Sequence, residues 1–210
     1  MDITALYVLG FVAQGCFGAR SVVQWVQSER AGRVVSPTLF WVFSLAGASL
    51  FLIYGLLRQD PVIIVGQTFS FYIYLRNLQL KGAWQQLSVV IRYTLLSLPV
   101  AMMAVAFSRF ESWAFVSVEA LTEPFLLVGA IGQLSLNARY LYQWYYSERA
   151  GQSLLPLGFW TISAVGSLLV VVYGIFRNDP VLLVSQSLGM VIYVRNIILH
   201  TKKTSVPTHG

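Results

Sequence analysis

The strongest constraint on the fold is written into the sequence twice. Shifted by 119 residues, the chain superposes residues 14–80 on residues 133–199 without a gap, and about 29 of those 67 positions are identical. The pentapeptide Ser28-Glu29-Arg30-Ala31-Gly32 returns letter for letter as Ser147-Glu148-Arg149-Ala150-Gly151. Tyr74-x-Arg76-Asn77 returns as Tyr193-x-Arg195-Asn196. Any fold for one copy must also serve the other, so the chain reads as two copies of one unit with a joining segment between them.

Each copy contains three apolar runs of about 20 residues, the length that crosses about 30 Å of hydrocarbon. They cover residues 4–27, 37–57 and 61–80, then 123–146, 156–176 and 180–199. The chain is 57% hydrophobic and only 10% charged, against roughly 25% charged in a soluble domain, which marks an integral membrane protein. A net charge of +6 would point to nucleic acid in a soluble protein. Here Lys and Arg fall beside the apolar runs, where they set topology, and no nucleic-acid partner is expected.

Residues 88–107, between the copies, are long enough to span although they contain Arg92 and Pro99. If they do, Arg30, Arg33, Arg76, Lys81, Arg92, Arg149, Lys202 and Lys203 share one side, which the positive-inside rule makes cytoplasmic. The expected fold is therefore all-α: seven transmembrane helices, as two parallel three-helix repeats joined by one linker helix. Its expected divisions are 1–82 for the first repeat, 83–119 for the linker with the fourth helix, 120–202 for the second repeat and 203–210 for a polar tail. The first run has no basic n-region and no small-residue cleavage site, so it is expected to stay as a helix. Ser36-Pro37, Asp60-Pro61 and Asp179-Pro180 predict helix starts, a capping side chain followed by proline at the first helical position. The lone Cys16 allows no intrachain disulfide.

The spaced pattern Arg20-x3-Gln24-Trp25-x2-Ser28-Glu29-x2-Gly32-x4-Pro37-x2-Phe40-Trp41-x2-Ser44 recurs in both copies. So do Tyr54-Gly55-x2-Arg58-x-Asp60-Pro61-Val62 and Gln67-x6-Tyr74-x-Arg76-Asn77. This set resembles the bacterial lipid A biosynthesis N-terminal domain family within the PQ-loop superfamily, and the two-repeat plan is similar to that of SWEET transporters. The Pro-Gln pair that names the superfamily is absent, replaced by Ala19-Arg20 and Ala138-Arg139, so the substrates of its sugar and amino-acid branches are not carried over. The resemblance implies a multi-pass protein of the bacterial inner membrane, N-terminus periplasmic and C-terminus cytoplasmic. It also implies a place in envelope-glycolipid pathways, where related proteins are suspected of moving polyprenyl-phosphate-linked sugars.

Among single residues, Arg20 and Arg139 lie deep in the first and fifth predicted helices, where an arginine costs about 2.5–3.5 kcal/mol on insertion scales. Either the two guanidinium groups bind a phosphate, or they snorkel to headgroups. Gln24 and Gln143 follow one turn later, as bridges to Arg or as ligand contacts, and Trp25 and Trp144 read as interfacial aromatics. Gln67, Ser70, Tyr74 and Asn77 fall on one face of the third helix, and Gln186, Gly189, Tyr193 and Asn196 on one face of the seventh. Such stripes line a cavity or join helices by hydrogen bonds. With Gln14 and Gln133, the glutamines, arginines, tyrosines and asparagines named here form the candidate substrate-binding set. Glu29 and Glu148 end their helices on the wrong side of the macrodipole, which predicts ion pairs of Glu29 with Arg76 and Glu148 with Arg195. His200 and His209 sit in a polar tail without metal-ligand spacing, and no catalytic set, metal site or cofactor site is expected.

These readings converge on a membrane transporter or flippase of an anionic lipid-linked sugar for lipid A or cell-envelope modification. The expected partners are membrane lipids, an anionic glycolipid or polyprenyl-phosphate sugar, and a glycosyltransferase. Two alternatives stay open: an accessory subunit of a membrane glycosyltransferase or lipid A enzyme, and a SWEET-like facilitator of small sugars.

Overall fold

The computed structural model describes residues 3–110, 124–178 and 180–204. Among them the protein is all-helical, with seven α-helices. These are α1 (Ile3–Ala31), α2 (Thr38–Arg58), α3 (Pro61–Leu80), α4 (Val89–Arg109), α5 (Pro124–Ala150), α6 (Leu157–Arg177) and α7 (Pro180–Thr204), with a 3₁₀ turn at Trp84–Gln86. Four described stretches are long and apolar enough to cross a membrane: Leu6–Ala31 of α1, and α2, α4 and α6. The other three helices carry the polar stripes and ionisable residues, which dilute their hydropathy. Asp179, Glu111, Glu119 and His209 lie outside the described residues.

Helix ends follow local chemistry. Asp60 caps α3 by accepting from the Ile63 N–H at 3.0 Å, with Pro61 in the first helical position. The expectation for Ser36-Pro37 needs correcting: Pro37 is itself the N-cap of α2, in an extended conformation and with no side-chain cap. Gly32 closes α1 in the left-handed region, with its N–H on Glu29 O and the Arg33 N–H on Ser28 O, and Gly151 adopts the same conformation after α5. His200 lies inside α7 rather than in a tail, its ring Nε2 3.1 Å from Leu155 O.

α4 occupies the expected joining segment, and its two unpromising residues are accommodated locally. Arg92 turns back to the start of its helix, donating to Leu87 O at 3.0 Å and Gln85 O at 2.6 Å. Pro99 is buried inside the helix, and Tyr72 of α3 donates to the nearby Leu96 carbonyl at 3.0 Å.

The described residues gather into two compact units that do not coincide with the two sequence copies. The first draws on Met1–Gln24, Pro37–Phe115 and Gly151–Ser153; the second on Trp25–Ser36, Val116–Ala150 and Leu154–Gly210. In the first, α2 packs on α3 and both meet α4. Trp41, Leu52, Ile64, Phe71 and Leu75 are fully buried there. In the second, α6 packs between α5 and α7 over Leu136, Tyr140, Phe159, Trp160 and Val170.

Lipid is as apolar as leucine, so close packing and hydrogen bonds, not a hydrophobic drive, hold such helices together. Glycine permits that approach in the second unit: a Cβ on Gly132 would lie 2.8 Å from the Gly166 carbonyl oxygen, and one on Gly166 would lie 3.0 Å from Gly132 O. In the first unit the equivalent glycine, Gly47, is filled by a side chain, the Phe17 ring, 2.8 Å from where a Cβ would stand.

Candidate functional site

Each unit contains the same cluster, buried in the first and part-buried in the second. Arg20 of α1 donates from one guanidinium nitrogen to Ser44 Oγ of α2 at 3.0 Å and to Tyr74 OH of α3 at 3.2 Å. Arg139 of α5 does the same with Ser163 of α6 and Tyr193 of α7, both at 3.0 Å. The serines donate onward to the carbonyls of Phe40 and Phe159, which fixes their lone pairs toward the guanidinium. Rings complete the cage. The Arg20 guanidinium carbon lies 4.4 Å from the Phe17 centroid, 5.5 Å from Phe40 and 5.7 Å from Tyr74. Arg139 has Tyr140 at 5.0 Å, Phe159 at 5.4 Å and Tyr193 at 5.5 Å.

These hydroxyls and rings are neutral. They hold the positive charge in place and make its burial tolerable, Arg20 being only 8% exposed. A guanidinium's planar fork suits a phosphate or carboxylate oxygen, and the cluster sets one such group at the equivalent place in each unit. Neither arginine snorkels free of the protein. Three helices converge on each because the repeat sets the serine 24 residues and the tyrosine 54 residues beyond the arginine in both copies.

Ser44 and Ser163 were not among the sequence candidates, although each ends the Phe-Trp-x2-Ser pattern in its copy. A serine kept at the same depth in two apolar helices was the available signal. Other candidates turn out to hold the backbone. Gln143 donates to Ser147 Oγ at 2.7 Å and Leu154 O at 2.8 Å, so it braces the loop after α5. Ser28 accepts from the Val35 N–H at 3.1 Å, the counterpart of the Leu154 N–H to Ser147 contact at 3.0 Å. The recurrent pentapeptide therefore also anchors the loop that follows it.

Gln24 is wholly buried at the matching place, while Gln14 and Gln133 are exposed. Asn77 donates to Ile73 O and accepts from Ser153 Oγ at 2.7 Å; Asn196 donates to Ile192 O. Both asparagines are completely buried. Gln186 accepts from Ser167 Oγ through its side-chain oxygen at 3.0 Å, whereas the side-chain oxygen of Gln67 is buried without a hydrogen-bond partner among the described residues. The groove between α6 and α7, with a cavity volume of about 590 Å³, is lined mainly by apolar side chains, among them Leu168, Val171, Met190 and Val194, together with Arg195.

The expected ion pairs are not formed as expected. Glu29 is held by Arg195 through both carboxylate oxygens, from guanidinium Nε and from a terminal nitrogen at 2.8 Å. Thus Glu29 does not choose Arg76, nor does Arg195 choose Glu148. The reason lies in the fold: the last turn of α1 belongs to the second unit, with α7, so the carboxylate meets the arginine of the other copy. Arg76 donates to Gln79 at 3.1 Å, and the indole N–H groups of Trp25 and Trp144 donate to Glu29 and Glu148 one turn ahead.

Fold and site together define a helical membrane protein with a caged arginine in each of two similar units. The family model for the lipid A biosynthesis N-terminal domain matches residues 9–79 and again residues 128–198. The chain belongs to that family, and the two matches are spaced by the same 119 residues as the internal repeat. Curated relatives are named lipid-A-disaccharide synthase. That of Chlamydia abortus is 30% identical over 96% of this chain, that of Chlamydia pneumoniae 29% over 94%, and that of Chlamydia felis 27% over 98%. The chain spans about a third of the length of these relatives, 34% to 35%. No solved structure matches it.

These names overturn two expectations. A transporter or flippase finds no support among the relatives, and the expectation of a protein that is not an enzyme is contradicted by relatives that carry the name of one.

Proposed function

We propose that the chain is the membrane portion of a lipid A glycosyl-transfer system, joined to or associated with a catalytic partner, and that it holds an anionic glycolipid for that partner. The observation that carries this reading is the duplicated Arg–Ser–Tyr cluster, Arg20–Ser44–Tyr74 and Arg139–Ser163–Tyr193, in a family named for lipid A biosynthesis. A caged guanidinium favours a phosphate-bearing headgroup, and the apolar helices around it suit the acyl chains. Tyr74 and Tyr193 orient the arginines and contact the headgroup, and Gln67 belongs to the same face. Gln143, Asn77 and Asn196 position backbone instead, and Gln24, Gln14 and Gln133 have a lesser part.

Repeat spacing supports the finer architecture of three plus one plus three spanning helices, as in SWEET-like proteins, and the basic residues support an inner-membrane protein with its N-terminus periplasmic. The test is reconstitution. The catalytic remainder of a chlamydial lipid-A-disaccharide synthase, supplied with glycolipid in nanodiscs, should form disaccharide faster when this chain is present. The double variant Arg20→Gln, Arg139→Gln should remove that gain; equal rates with and without the chain would overturn the proposal.

A further inference from the structure

The two units differ at one polar position, and the difference points to where a sugar would sit. In the second unit Ser167 donates to both the backbone carbonyl and the side-chain oxygen of Gln186, at 3.1 and 3.0 Å. At the position of Ser167 the first copy has Ala48, which is fully buried. Its glutamine, Gln67, consequently keeps a buried side-chain oxygen with no partner among the described residues. A buried acceptor left unmade costs about 1–3 kcal/mol, so a donor from outside the protein gains by reaching it.

The stripe differs once more, three residues on. Gly189 of the second unit is closed over by Tyr193, whose hydroxyl would lie 3.2 Å from a Cβ there. The first unit has the half-buried hydroxyl of Ser70 at that place. At these two places unit two is closed, Gln186 by Ser167 and Gly189 by Tyr193, where unit one has Ala48 and the Ser70 hydroxyl. Tyr74, which receives the Arg20 hydrogen bond, is seven residues beyond Gln67 on the same helix face, about 10 Å along the axis. That is too far for one small anion to touch both and suits a phosphate carrying a sugar.

We propose that Gln67, with Ser70, is a hydroxyl-recognising subsite for the sugar of the glycolipid whose phosphate is held at Arg20, and that the first unit alone carries it. This rests on the headgroup reading above. The experiment uses the full chain in nanodiscs and three probes: farnesyl phosphate, farnesyl phosphoglucose and farnesyl glucoside, with bound lipid counted by native mass spectrometry. Wild type should prefer farnesyl phosphoglucose to farnesyl phosphate about fivefold, the value of one ordinary hydrogen bond. Gln67→Leu should erase the preference. So should Ala48→Ser, which supplies the donor that Ser167 supplies in the other unit, and it should raise the melting temperature as well. Ser167→Ala and Gln186→Leu should leave the preference intact.

If Ala48→Ser gains stability and keeps the full preference, the subsite is refuted. It is also refuted if both phosphate lipids bind equally in an Arg20-dependent way, and the headgroup reading then stands alone. Binding of farnesyl glucoside that depends on Gln67, with no Arg20-dependent binding of farnesyl phosphate, would keep the subsite and sink the headgroup reading. No binding of any probe would overturn both.

Discussion

The two units are built from the same pattern, yet they spend their polar side chains differently. Unit two closes in on itself: Ser167 meets Gln186, Tyr193 leans over Gly189, and Gly132 and Gly166 let two backbones touch. Unit one keeps a bulky Phe17 against Gly47, an alanine at position 48 and a glutamine oxygen unmet among the described residues. Duplication supplies two equal scaffolds, and a few substitutions, Ala48 against Ser167 and Ser70 against Gly189, change how each uses its polar stripe. The arginine cluster, alike in both, is what the difference is measured against.

The sharpest break of this comparison is at the arginines. Arg20→Gln should weaken retention of farnesyl phosphate in nanodiscs by tenfold or more, the loss expected for hydrogen bonds to a charged group, and Arg139→Gln by clearly less. Equal losses would show that the units share the ligand equally. Next in size is packing. Gly132→Ala pushes at once against the Gly166 carbonyl oxygen and the Leu169 and Val170 side chains and should cost about 1–3 kcal/mol in thermal or denaturant unfolding, whereas Gly47→Ala meets a ring that can turn and should cost less. The reverse order would mean that the close glycine contact is not what holds unit two.

Asn77→Ala removes the buried acceptor of Ser153 and should destabilise by about 1–3 kcal/mol, towards the lower end if water enters. Smallest is Glu29→Gln, a half-exposed ion pair whose loss should lower the melting temperature by a few degrees at most. The swap Glu29→Arg with Arg195→Glu should recover most of that loss, while Glu29→Arg with Arg76→Glu should not. Recovery by the Arg76 swap would restore the within-copy pairing that the structure replaces.

Much of the architecture was legible because a membrane leaves few options: apolar runs of spanning length became α1 to α7, and Gly32, Gly151 and Asp60 ended or began helices as their chemistry predicts. The arginines were legible as costly and therefore purposeful, but their cage was not. Hydrogen bonds 24 and 54 residues away depend on how three helices abut, and sequence spacing carries that only through the repeat. The pairing of Glu29 failed for the same reason: reading each copy as a closed bundle assigned its carboxylate to the arginine near the end of that copy's third helix. Gln143 and Asn77 read as ligands because a polar side chain in lipid always needs a partner, and nothing in one sequence says whether that partner is a loop carbonyl, a serine or a headgroup.

The clasp between Glu29 and Arg195 joins residues 166 positions apart in the chain. During synthesis the end of α1 therefore waits, its carboxylate without its arginine, until α7 emerges, and the Gly151–Ser153 turn reaches Asn77 only after the first three helices exist. Contacts between residues 76 and 166 positions apart form only once both partners are in place, so the pairing of the end of α1 with α7, and of α3 with the turn after α5, belongs to the late stage of assembly.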